Sequence, residues 1–274
     1  MIAILQTELV KLFSQKRTYY GLAAILVIEL LIMIGAWAQG TEILDVLLEN
    51  LTDNFIMSGS LLNGHLVLYI VLNSLWFNLP LIVMIIVSGL LTSEYKDKTI
   101  QTVLLQSVNK RNFILAKYGV ALVFTLLVVA LLFTTASLSA YSFFGTGDLI
   151  TYLNGLNFFE SGEAFNRIVW AFLLGTLLMI CYSFLSITLA VFFKDQTVTW
   201  IICAFVLIIN GLLVKMDLGF MNYWFYSKVT DTWQYFFYFE VPWPYVWHNG
   251  GLLIFYALLI ATVGVWRFVK KDVG

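Results

Sequence analysis

Six apolar stretches, each long enough to cross a lipid bilayer as a helix, dominate this sequence and leave it few folds to choose from. A bilayer core about 30 Å thick takes roughly 20 helical residues at 1.5 Å each. The stretches at about 19–38, 66–92, 114–144, 165–193, 197–214 and 249–269 read as spans on that measure. Composition agrees: 61% of the 274 residues are hydrophobic and 11% are charged, with mean hydropathy +0.90, whereas a soluble domain carries about 25% charged residues. The expected fold class is an all-α polytopic membrane protein with one transmembrane domain over 1–274. Six spans and their connections use nearly the whole length and leave nothing for a globular domain.

Positively charged loops are held on the cytoplasmic side of a membrane. With six spans, the N-terminus, the second and fourth loops and the C-terminus share one side. That side holds twelve basic residues, Lys11, Lys16, Arg17, Lys96, Lys98, Lys110, Arg111, Lys117, Lys194, Arg267, Lys270 and Lys271, against three on the other, Arg167, Lys215 and Lys228. The expected location is the cell membrane, with both termini cytoplasmic. Glu42, Asp45, Glu49, Asp53, Asp148, Glu160, Glu163, Asp217, Asp231 and Glu240 fall on the opposite side, so a net charge of −1 conceals a dipolar arrangement. The opening residues MIAILQTELVKLFSQKR place charge after an apolar start. A cleavable signal peptide has the reverse order, so the N-terminus is expected to be retained.

Three segments outside the spans stand out. In 1–17, Ile2, Leu5, Leu9, Leu12 and Phe13 fall on one helical face, and Thr7, Glu8, Lys11, Ser14 and Gln15 on the other. Such a helix lies flat in the interface, either as a plain anchor or as an elbow helix presenting its polar face to a cytosolic partner. The long basic loop at 93–113 carries Ile100, Val103, Leu104 and Val108 at helical spacing. A short helix clamped between the second and third spans could pass a push to both, although a topogenic loop with an incidental helix has the same composition. The segment 217–248 holds fourteen aromatics, Pro242 and Pro244. It reads as short helices in or dipping into the outer interface, as an aromatic belt or as a lid.

The run from Glu94 and Tyr95 through Lys98, Thr99, Ile100, Val103, Leu104 and Leu105 to Arg111 and Lys117 resembles the coupling-helix region of ABC type-2 exporter permeases. The interfacial first helix, the six-span plan, the SITLAVFFKD stretch and the basic tail RFVKKDVG extend the resemblance over the chain. Lys98 stands where the family usually has glycine before the threonine, and Ser107 where a proline is frequent nearby. The resemblance implies a permease working as a homodimer or homologous heterodimer, bound to two ABC ATPase subunits. ATP and Mg would sit on those subunits. The coupling contacts would fall at Glu94, Tyr95, Lys98, Thr99, Ile100, Val103, Leu104, Arg111 and Lys117, and the elbow contacts at Leu5, Glu8, Leu9, Lys11 and Leu12. No GxxxxGK[ST] phosphate loop occurs in the chain, so a nucleotide bound in that manner is expected on a partner.

Glu29 is the one acidic residue well inside a span. A carboxylate at mid-bilayer costs on the order of 2.5 kcal/mol or more. It therefore lines a substrate path or hydrogen-bonds another span, with Asn73, Asn78 and Asn210 as candidate partners. The stripe Glu42, Asp45, Glu49 and Asp53 opposes Ile43, Val46, Leu47 and Leu51, as a solvated face or an attraction for cationic peptide. His65, His248, Cys181 and Cys203 have no metal-ligand spacing, and no disulfide framework is present. Nothing points to nucleic acid, and lipid is the expected surrounding.

The expected function is the permease subunit of an ATP-driven exporter, not itself an enzyme, carrying a hydrophobic or amphipathic molecule outward, with peptide or drug favoured. Export of lipid or polysaccharide stays open. So does an ion-gradient-driven transporter or channel with Glu29 as its ion site. A membrane enzyme would require a cluster of catalytic groups at one interface, and none is evident.

Overall fold

The computed structural model describes residues 2–52, 62–105, 109–153 and 155–270, with the backbone alone at 2, 41–52, 77 and 104. The helices are α1 (Ile2–Ser14), α2 (Lys16–Thr52), α3 (Gly64–Lys96), α4 (Thr99–Leu105), α5 (Lys110–Phe144), α6 (Ser161–Phe193), α7 (Gln196–Lys215), α8 (Tyr226–Val229) and α9 (Trp243–Lys270). Strands β1 (Leu149–Tyr152) and β2 (Leu156–Phe159) separate α5 from α6, and two 3-10 turns, Gly219–Tyr223 and Thr232–Phe237, flank α8. Helices α2, α3, α5, α6, α7 and α9 each carry a stretch long and apolar enough to cross a membrane. The protein is thus an all-α polytopic membrane protein.

Helix α3 is the centre of the bundle, packing on α2, α5, α6 and α7, while α9 lies against α6. Its buried face runs through Leu68, Leu72, Leu75, Leu79, Val83 and Val87, a helical repeat that meets neighbours on several sides. Small and hydroxylic residues let the other helices approach, as expected where lipid supplies no hydrophobic drive for association. Thr125 donates to Ser183 at 2.9 Å, and Tyr118 and Thr188 share a hydrogen bond of 2.7 Å, joining α5 to α6.

Two helix boundaries and one additional element differ from the sequence reading. The membrane-crossing stretch of α2 ends at Gly40, close to the expected 38, but the helix itself continues unbroken to Thr52. Gly40 alone costs a helix only about 1 kcal/mol and does not stop it. The proposed acidic helix is therefore the continuation of α2. The side chains of Glu42, Asp45 and Glu49, and all of Asp53, lie outside the described residues, as do Val108 and the side chain of Leu104. The last helix begins at Trp243 and not at 249. Pro244 sits in its first turn, where a missing N–H breaks no helical hydrogen bond. The hairpin was not foreseen: β1 and β2 pair antiparallel, with Leu149 opposite Phe159 and Tyr152 opposite Leu156. Leu149 and Thr151 from one strand and Asn157 and Phe159 from the other point inward.

That hairpin secures the aromatic segment. Thr151 and Asn157 both donate to the Phe237 carbonyl at 3.2 Å. The Arg167 guanidinium donates to the carbonyls of Phe236 and Tyr238 at 2.7 Å and of Phe239 at 3.1 Å. It also pairs with Glu163 and lies 4.1 Å from the centre of the Phe159 ring. Trp233, Phe236 and Phe237 are buried beneath this clasp, while Phe220, Trp224, Phe239 and Trp247 remain exposed. The segment is therefore part packed cap and part exposed aromatic surface.

Candidate functional site

At the basic end of the bundle, α1 meets the last turn of α3 and the start of α5, and the short α4 packs on α3. Helix α1 ends at Ser14, and Thr18 Oγ1 donates to the Leu12 carbonyl at 2.6 Å, bracing the corner into α2. Leu12 is fully buried, and Leu5, Leu9 and Phe13 pack on the core from partly buried positions. This is the apolar face expected for an elbow helix. Glu8, placed on the opposite, polar face by the sequence reading, is instead 2% exposed. The correction has a chemical cause, since an ammonium waits for it inside.

That ammonium is Lys117 on α5, which is fully buried. Its three protons have three acceptors: Glu8 Oε2 at 2.5 Å, Glu94 Oε1 at 2.7 Å and the Leu90 carbonyl at 2.8 Å. Lys11 completes the cluster at 2.8 Å from Glu8 Oε1 and 2.9 Å from Glu94 Oε1. Two carboxylates and two ammonium groups balance, which makes burial of the set tolerable. Burial disfavours the charge on Lys11, but its hydrogen bonds to the Glu8 and Glu94 carboxylates and their charges outweigh it and hold its pKa above the ordinary lysine value. The cluster ties α1, α3 and α5 into one unit. Glu94 and Lys117 are thereby interior ties, so neither offers its charge to an outside surface.

The residues that do face outward lie just beyond. Asp97 caps α3, and Lys98 turns the chain into α4 with φ +57. A positive φ is cheap for glycine and costs other residues about 1–2 kcal/mol. Ile100 is buried, Val103 and Tyr95 pack partly on the core, and the Thr99 hydroxyl reaches the Glu94 carbonyl at 3.5 Å. Lys98, Gln101, Arg111 and Leu105 are exposed, Leu105 to 88%. Helix α4 thus has an anchored side and, among the described residues, an exposed side that includes Lys98, Gln101 and Leu105, with Arg111 exposed at the start of α5. A pocket of about 540 Å³ opens next to it, between Lys98 and Gln101 on one wall and Lys194 and Thr197 on the other.

The residues suggested for a substrate path separate into different places. Glu29 accepts hydrogen bonds from Thr135 at 2.7 Å and Ser139 at 3.3 Å, both on α5, and from none of the three asparagines proposed. The hydroxyl run in the third span was the signal that would have found these partners. Asn78 donates to the Ser74 carbonyl of its own helix. Asn73 and Asn210 both line a cavity of about 220 Å³ near the acidic end, with Trp76, Tyr182, Thr230 and Trp233.

The family model of the ABC-2 family transporter proteins matches residues 4–211, from α1 into α7, and so takes in every residue of the ion cluster and α4. No curated protein gave a significant match. The matched stretch is well over half of the chain, and six membrane-crossing helices fit a permease; the chain belongs to the ABC-2 family of transporter membrane proteins.

Proposed function

We propose that this chain is the permease subunit of an ATP-driven exporter in the cell membrane, its basic end cytoplasmic, bound there by two ABC ATPase subunits. A second permease, identical or homologous, completes the pair. The cargo is a hydrophobic or amphipathic molecule, a peptide or drug before a lipid or polysaccharide. ATP and Mg are held by the ATPases, and the permease contributes motion. The observation that carries this reading is the buried Glu8–Lys117–Glu94 tie beneath α4. A displacement of α4 is passed to α1, α3 and α5 together, because their charged groups cannot separate without leaving a charge unpaired in a dry site. The free side of the lever, Lys98, Leu105 and Arg111, supplies two cations and an apolar contact for an acidic-rimmed groove on a partner. Nucleotide shifts the permease between two states only through contacts that differ between them.

Lys98→Glu and Arg111→Glu should uncouple transport from ATP hydrolysis in the reconstituted complex, with ATPase activity persisting while transport falls at least tenfold. Unchanged coupling in both variants refutes the lever. The rival, an ion-gradient carrier using Glu29, draws on the burial of that carboxyl among hydroxyls. It predicts transport by the purified chain alone, and no ATPase retained on affinity purification.

A further inference from the structure

The cavity near the acidic end collects unspent hydrogen-bonding groups. Trp76 on α3, Asn210 on α7 and Trp233 in the second 3-10 turn all line it, and they are 7%, 9% and 3% exposed. The indole N–H of each tryptophan and the Oδ1 of Asn210 have no hydrogen-bond partner among the described residues. A buried polar group left without a partner costs about 1–3 kcal/mol, and such groups in native proteins call for an explanation. Three of them around one cavity share a single explanation.

The orientation of the Asn210 amide is fixed by its neighbours. Thr230 spends its hydroxyl proton on the Ser227 carbonyl at 2.7 Å, so towards Asn210 it can only accept. Asn210 Nδ2 therefore faces Thr230 at 3.3 Å and Tyr182 at 3.0 Å, which leaves Oδ1 as the open acceptor. The two indoles lie side by side, with ring centres 5.8 Å apart and planes inclined by 52°. Asn73, Lys215, Asp231 and Gln234 line the cavity as well; its unpartnered groups are two indole donors and one amide acceptor, set among aromatic walls in about 220 Å³, several times the roughly 30 Å³ that a water molecule occupies in the liquid.

We propose that this cavity binds a secondary amide, the polar group of an amphipathic amide-bearing molecule. Its carbonyl oxygen has two lone pairs and accepts from both indoles. Its N–H donates to Asn210 Oδ1. The three protein groups come from three different elements, so acceptor and donor on separate ligand atoms span them, where a hydroxyl places both on one atom. The flat amide also suits the aromatic walls. This names a chemistry for the cargo of the transport reading, but binding requires no nucleotide, so the site and the drive fail separately.

The test uses the full chain in lipid nanodiscs and equilibrium binding of three probes, each corrected for partition into empty nanodiscs. N-decylacetamide should occupy one saturable site. N-decyl-N-methylacetamide and decyl acetate, which keep the carbonyl and lack the N–H, should bind about tenfold more weakly, the value of one hydrogen bond left unmade in a buried site. Trp76→Phe and Trp233→Phe, which keep a ring and remove the donor, should each weaken the amide by a similar factor, while Trp170→Phe, outside the cavity, leaves it unchanged. Equal binding of all three probes, or no saturable site, overturns the proposal. So does wild-type affinity in both cavity variants with unchanged thermal unfolding. If a variant does not fold, the comparison of amide with ester on the unaltered chain decides alone.

Discussion

Lys117 has three protons and three acceptors, and its value to the protein lies in that match. Removing one member of a buried charge cluster typically costs 3–5 kcal/mol because the others remain dry and unpaired. Lys117→Met should lower stability by about that amount in denaturant titrations of the purified protein. Lys98→Met, on the exposed side of the same loop, should stay within about 0.5 kcal/mol. Asp231 gives a pH dependence of definite sign. Burial lifts its carboxyl above the usual value of 3.8, against the opposing pull of Lys215 and Lys228. A raised folded-state pKa contributes stability that is complete below 3.8 and is lost as pH rises through the raised value. Asp231→Asn, neutral throughout, should therefore melt higher than the unaltered protein at pH 7, and the difference should shrink as the buffer is acidified towards 4. Each of these residues was visible in the sequence, but its partner was not. A carboxylate such as Glu8 on an amphipathic helix looks the same whether it faces water or an ammonium 109 positions away.

The short elements depend on their surroundings more than the long ones do. A seven-residue helix such as α4 is marginal in isolation, and it persists here because Ile100 and Val103 are docked on the bundle. That docking fixes it against the bundle, as the proposed lever requires. The aromatic segment is held in the same dependent way, through carbonyls gripped by Thr151, Asn157 and Arg167. Arg167→Leu leaves three of those carbonyls without their charged donor. Amide exchange across 232–239 should speed up at least tenfold in this variant, while exchange in the middle of α6 stays as it was. Gly175 shows how closely long helices meet, since a Cβ there would lie 1.7 Å from the Trp76 ring. The hairpin signal was present in LITY and LNFF around Gly155, two short β-rich runs about a glycine turn. The stronger apolar pattern of the long helices on either side masks it.

At the scale of the whole molecule, an even number of crossings puts both chain ends on one side of the membrane. Tags at the two termini should thus share the same protease sensitivity in sealed vesicles, and opposite behaviour would remove a span from the count. The sequence alone determined the six helices, since crossing lipid demands about 20 apolar residues whatever their neighbours are, and it determined the charge asymmetry of the two ends and the likeness to the family. It also located the short helix α4, because Ile100 and Val103 recur at helical spacing within a basic loop. Tertiary structure alone decided which polar residues are tools and which are ties. Glu94 and Lys117 turned inward, Glu29 found the hydroxyls of α5, and Asn210 joined two tryptophans from distant parts of the chain. The reason is physical: apolar burial follows from local composition, whereas the fate of a buried charge or amide depends on a partner that only the folded chain brings within 3 Å.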